Sequence, residues 1–164
     1  MKLLIRNNLV IGVATDDYFG PEHWITQPAG FDINMIGSYT LVNGVLEIPA
    51  AMQAQDTFNS LMSGGITLTS TGTPALNGTY STMPNALINI SGIASSIVNG
   101  LGLPGGGTTF NYRDTSGVAH TFDSSHFIEF AKAVRDFVYQ CEETLNTIQL
   151  GGTATFPSNQ ITIS

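Results

Sequence analysis

Near the start of the chain, apolar Leu3–Ile5 and Leu9–Val13 flank Asn7-Asn8. This pattern predicts a β-hairpin, because asparagine tolerates the positive φ that a two-residue turn demands. Further on, Thr40–Pro49 places Asn43-Gly44 between two apolar dipeptides, the strongest short-range hairpin signal, and predicts a second one. The stretch between them, with Asp16-Asp17-Tyr18-Phe19-Gly20-Pro21, Trp24, Pro28, Gly30 and Phe31, keeps no clear period and reads as an irregular arm carrying aromatics. From Ala50 to Met62 there is neither Gly nor Pro, and Ala51, Met52, Ala54, Phe58, Leu61 and Met62 fall mostly on one helical face, which Ser63-Gly64-Gly65 ends.

The second part of the chain is more regular. Ile66–Thr69 alternates as a short strand until Thr71-Gly72-Thr73-Pro74 breaks it. Leu87, Ile90, Ala94, Ile97 and Val98 share one face of a helix over 85–99, with Pro84 suited to its first position and Gly100 to its stop. Thr108–Asp114 and Val118–Asp123 form a hairpin pattern, with Phe110 and Tyr112 on one strand and His120 and Phe122 on the other at period two. Phe127, Phe130, Ala131, Val134, Phe137, Val138, Cys141, Leu145 and Ile148 then hold 3/4 spacing over about six turns. Asp123, Ser124 and Ser125 are the candidate N-caps, and Gly151-Gly152 ends the helix. Gln160–Ile163 reads as a last strand.

These elements predict an α+β fold: an N-terminal β-hairpin arm, then a C-terminal domain with two amphipathic helices packed on a small antiparallel sheet. The boundary is expected near Gly64, giving an N-terminal hairpin and attachment segment with its connecting helix (1–64) and a C-terminal α+β module (65–164). No period of about 20–50 residues recurs, so a repeat architecture is not expected.

Charge changes the picture. The 164 residues carry 5 Lys+Arg against 12 Asp+Glu, a net charge of −7, and only 10% are charged. Five basic residues neutralise few phosphates, so neither nucleic-acid binding nor attachment to an anionic membrane by charge is expected. No run reaches the length of a membrane span, and Arg6 interrupts the apolar stretch after Lys2, so neither membrane insertion nor a signal peptide is expected. A single Cys excludes an intramolecular disulfide framework. Between Asp56 and Arg113 no side chain is charged. One reading of that gap is a fold-forming Ser/Thr/Asn surface; the other is contact with neighbouring subunits, where charge is depleted at interface cores.

Candidate chemistry is sparse. His23, His120 and His126 match no metal-binding spacing and read as surface or half-buried imidazoles, so no metal is expected. Gly102–Gly107 resembles a phosphate loop only in composition: it lacks the terminal Lys and precedes a strand, so no nucleotide or other cofactor is expected. Asp16, Asp17 and Glu22 beside Tyr18, Phe19 and Trp24 are the one arrangement that suits a glycan-cleaving carboxylate pair, although adjacent acids in such a turn more commonly shape the turn. Cys141 lies on an apolar stripe as a small hydrophobe. The sequons at Asn77 and Asn89 are read as idle without a secretion signal. No catalytic residues are assigned.

The run Ile66–Tyr80, with its Gly-Thr-Pro-Ala-Leu-Asn-Gly-Thr-Tyr segment from Gly72, is followed by Thr108–Asp114, Gly117, His120-Thr121-Phe122 and Phe127–Val138. In that order they resemble a module of uncharacterised proteins encoded among the tail genes of bacteriophages and prophages, over about the C-terminal 100 residues. The N-terminal hairpins look like the leading segment of phage tail-fibre or fibre-assembly proteins. The resemblance implies a virion structural protein, tail-fibre or baseplate-associated, made in the host cytoplasm and carried in the phage particle, and not an enzyme. Its implied partners are itself as a homo-oligomer, a trimer being one arrangement, other tail or baseplate proteins, and a host surface glycan. Tyr18, Phe19, Trp24 and Phe31 are the candidate docking residues, because exposed aromatics in an arm call for a partner. A capsid decoration protein, a fibre-assembly chaperone and a glycan-cleaving tail enzyme are the alternatives.

Overall fold

A computed structural model describes residues 1–17, 23–27, 31, 33–37 and 39–164. The fold is α+β. It divides into two compact units, Met1–Ala54 and Gln55–Ser164.

In the first unit, strands β1 (Lys2–Arg6) and β2 (Leu9–Ala14) form the first expected hairpin, and β4 (Thr40–Val42) and β5 (Val45–Glu47) form the second. Both turns use positive φ as their residues foretell: 52° and 63° at Asn7 and Asn8, 51° and 81° at Asn43 and Gly44. The hairpins join one five-stranded sheet of order β3-β1-β2-β4-β5, in which β3 (His23–Thr26) pairs antiparallel with β1. This corrects the expectation of an irregular arm around Trp24. The exposed edge of β1 carries unpaired N–H and C=O groups, and 23–26 satisfies them although its own sequence period is weak. Leu3, Ile5, Val10 and Tyr39 make a small core, with Ile25, Phe31 and Leu41 packed against it.

Helix α1 (Ala50–Gly64) spans the division between units. Phe58, Leu61 and Met62 pack on the core of the second unit, so the units part within α1, ahead of the Gly64 boundary read from sequence. Gly65 turns the chain out of α1 with φ 73°, and a Cβ there would stand 2.4 Å from the Tyr80 carbonyl oxygen. Only glycine meets both conditions.

The second unit holds β6 (Ile66–Ser70), β7 (Gly78–Tyr80), α2 (Pro84–Val98), the β8–β9 hairpin (Thr109–Arg113, Ala119–Asp123), α3 (Ser124–Gln149) and β10 (Gln160–Ile163). Two small sheets stand where a single antiparallel one was read. β6 and β7 are antiparallel, β10 runs parallel to β6 from Gln160↔Thr67 to Ile163↔Ser70, and β8–β9 pair by themselves. A parallel partner needs a long crossover, which the chain supplies through α3.

Pro84 opens α2, and Asp123 caps α3 by accepting from His126 N–H at 2.9 Å. The inward stripe of α3 is buried as its spacing requires: Phe127, Phe130, Ala131, Val134, Phe137 and Cys141. It packs with Ile66, Leu68, Leu76, Tyr80, Ile90, Phe122 and Ile163.

Phe137 is 3% exposed within this core. Phe137→Ala is expected to lower unfolding free energy by about 3–5 kcal/mol, read from the midpoint of chemical denaturation followed by circular dichroism. A loss under about 1 kcal/mol would place the side chain outside the core.

Candidate functional site

Of the residues singled out from sequence, Tyr18, Phe19 and Glu22 lie outside the described residues. Trp24 stands on β3, 41% exposed, with the Lys2 ammonium 3.9 Å from its ring centroid. A cation over the indole face is a favourable contact that covers part of the ring. Phe31 is half-buried against Tyr39, ring centroids 4.9 Å apart. Asp16 and Asp17 are exposed, and the Thr15 hydroxyl donates to Asp17, holding that carboxyl below its ordinary range. A general acid needs the opposite shift, from desolvation against apolar walls.

The histidines do not meet. Among the described residues no group of three or more His, Cys, Asp or Glu side chains is placed to hold a metal ion. His126 belongs to the start of α3: its Nδ1 lies 2.9 Å from Asp123 Oδ1, and its Nε2 lies 3.2 Å from Thr73 Oγ1. His120, expected at the surface or half-buried, is buried, because β9 turns it toward the core beside Phe122. Its Nδ1 donates to the Ala75 carbonyl at 2.7 Å and its Nε2 faces Asp114 Oδ2 at 3.2 Å.

Asp114 is the best-connected carboxylate of the second unit. Oδ1 accepts from the Ser116 hydroxyl at 2.8 Å, Ser116 N–H at 3.0 Å and Val118 N–H at 2.8 Å. Led by the Ser116 hydroxyl and joined by His120, these donors hold the carboxyl at about 2. The pair closes the end of the β8–β9 hairpin over β7, where a Cβ on Gly78 would meet His120 Nε2 at 3.1 Å and Asp114 Oδ2 at 3.2 Å. With its partners filled and backbone pressed against it, the pair clasps the end of the hairpin. Hairpin register carried the signal: residues 110, 112 and 114 share a face with 120 and 122.

Cys141 is fully buried, and that burial pushes its thiol up to about 11. In the Gly102–Gly107 loop, Leu103 is buried and Ser96 Oγ donates to the Gly102 carbonyl, 3.0 Å away.

An open groove of about 640 Å³ lies between α2 and α3 of the second unit. Leu87, Ile90 and Ala94 of α2 and Ala131, Val134 and Val138 of α3 contribute to its walls. Its rims differ. On α2 they carry no charge, and Ile88 and Val98 are 66% and 74% exposed. On α3 they carry Lys132, Arg135, Tyr139 and Glu142. Large apolar side chains at this exposure in one patch are characteristic of contact surfaces.

Comparison with protein-family models, with curated proteins and with solved structures gives no match. No helix is long and apolar enough to cross a membrane among the described residues.

Because the folded Asp114 carboxyl lies below its ordinary 3.8, its contribution to stability is present above about pH 4 and is lost as pH falls toward about 2. Acid titration of unfolding stability is expected to be shallower in Asp114→Asn than in the unmodified protein over that window. The test is denaturant melts from pH 5 to pH 2, taken as about one-unit steps. Equal slopes would remove the clasp from the acid response.

Proposed function

We propose that the protein is a virion structural component of a bacteriophage, tail-fibre or baseplate-associated, which assembles as a homo-oligomer and performs no catalysis of its own. The observation that carries this reading is the charge-free, apolar α2 rim with Ile88 and Val98 exposed beside an open groove. Such a surface is poorly suited to remain in water and well suited to a subunit contact. The resemblance of the C-terminal residues to phage tail-gene modules supplies the setting. The closed environments of His120 and Cys141 and the exposed, low-pKa Asp17 are consistent with assembly rather than chemistry.

In this reading the first unit attaches to the particle and the second is the self-folding outer module. The second unit needs α1, since Phe58, Leu61 and Met62 pack in its core and Thr82 Oγ1 donates to the Met62 carbonyl at 2.7 Å. A truncation therefore has to begin at Ala50 and not at Gly65.

Mass spectrometry of density-banded particles is expected to find the full chain as a stoichiometric component. A chain beginning at Ala50 is expected to keep its helical circular dichroism and yet fail to enter particles in a complementation assay. Absence of the full chain from banded particles would overturn the virion reading. Normal incorporation of the truncated chain would overturn the assignment of attachment to the first unit.

A further inference from the structure

The outer face of α3 carries a second stripe: Ile128, Lys132, Arg135, Tyr139, Glu142 and Asn146, at successive steps of 4, 3, 4, 3 and 4. This is heptad spacing, which keeps a seam on one side of a helix. From Lys132 to Asn146 every member is exposed, Tyr139 at 61%. The charges are segregated along it, with Lys132 and Arg135 toward the N-terminal end and Glu142, next to Glu143, toward the C-terminal end.

We propose that this face, with the adjoining α2 rim, is a twofold interface in which α3 of a second copy packs antiparallel to α3, centred on Tyr139 with Arg135 against Glu142 of the second copy. The inference rests on the homo-oligomer part of the proposed function and names its contact.

Charge complementarity selects the occupant and the direction. At 1.5 Å per residue, Arg135 lies about 6 Å to one side of Tyr139 and Glu142 about 4.5 Å to the other. A twofold axis at Tyr139 therefore brings Arg135 and Glu142 of the second copy to nearly the same level, twice over, and sets Lys132 level with Asn146. A parallel pairing instead stacks Arg135 on Arg135 and Glu142 on Glu142, with like charges opposed. Asp136 takes the Nε and Nη2 of Arg135 at 3.1 and 2.7 Å, leaving Nη1 for a carboxylate across the interface. Glu142 has no hydrogen-bond or ion-pair partner among the described residues. Tyr139 on the axis meets its own copy, as an isologous contact requires. The α2 rim beside it adds apolar area without adding charge to be desolvated.

Sedimentation equilibrium on the purified full chain tests the proposal, with circular dichroism confirming that each variant is folded. The unmodified protein is expected to dimerise, more weakly at high salt. Arg135→Glu alone and Glu142→Arg alone are each expected to raise the dissociation constant by about tenfold or more. The combined Arg135→Glu, Glu142→Arg chain is expected to return to within about threefold of the unmodified value. Under mild oxidation, Tyr139→Cys is expected to give a disulfide-linked dimer and Gln140→Cys is not.

A protein monomeric at every concentration overturns the interface and the homo-oligomer reading together, while its presence in banded particles leaves the virion assignment standing. An oligomer, threefold included, that is indifferent to the single reversals overturns the interface alone. Failure of the combined variant to recover, or equal cross-linking at 139 and 140, overturns the register.

Discussion

The rings of Tyr80, Phe122, Phe127 and Phe130 converge in the second unit, neighbouring centroids standing 4.8 to 6.0 Å apart. They come from β7, β9 and the first two turns of α3, so one cluster fixes the antiparallel strand, the hairpin and the long helix together. Burying four such side chains is worth roughly 6–12 kcal/mol, the size of a whole domain's net stability. Tilted and edge-on ring pairs add about 0.5–1.5 kcal/mol each. The Tyr80 hydroxyl would be costly at this depth without a partner, and it donates to the Leu76 carbonyl at 2.7 Å. Burial also pushes that phenol well above its ordinary range, so it stays protonated and keeps donating.

Around the cluster, short polar side chains do structural work that the composition alone leaves ambiguous. Asn77 Oδ1 accepts from Ser70 N–H at 2.7 Å, Ser70 Oγ donates to the Ser164 carbonyl at 2.7 Å, and Thr115 N–H and Oγ1 both donate to the Thr79 carbonyl, at 2.8 and 3.0 Å. No buried side-chain nitrogen or oxygen among the described residues lacks a partner. The Ser, Thr and Asn of the uncharged stretch thus belong partly to the fold: they terminate strands and join loops where a charged group would have to be desolvated. That account covers β6, β7 and the turns between them. It does not cover the outer side of α2, where Ile88 and Val98 face solvent without any such role.

What was legible in the sequence was local. The spacing of α3, the proline at the start of α2 and the asparagine turns each express a rule acting within a few residues, and each appears where that rule places it. The β10–β6 pairing joins residues more than ninety positions apart, and nothing in Gln160–Ile163 states which edge it will occupy. β3 and β7 are too short to establish a period, and β7 begins with glycine. His120 was visible as an alternating strand residue, yet its partner depended on hairpin register, which brings Asp114 to the same face across the turn. The candidate docking aromatics were read as one cluster because they are close in sequence. Of the two described, Phe31 packs on Tyr39 within the first unit's core and Trp24 lies on a strand under Lys2.

The outer stripe of α3 was equally present in the sequence, and the inward stripe conceals it. A helix with seven-residue spacing on one side carries the same spacing on every other side, so the apolar positions draw the reading toward the core. Exposure separates the two stripes: Phe127, Phe130, Val134, Phe137 and Cys141 are enclosed, whereas Lys132, Arg135, Tyr139 and Glu142 face outward along the groove. In a chain with five basic residues, two of them lie on this seam, one turn apart. Lys132 and Arg135 also hold Asp136, and their hydrogen bonds, with their charges behind them, keep its carboxyl below its ordinary range, so the basic end of the seam is braced before any partner arrives. Apolar area from α2 can favour association without choosing a direction. The ordered charges of α3 supply the missing direction, and in the proposed assembly the two kinds of surface are complementary because neither alone specifies a single contact.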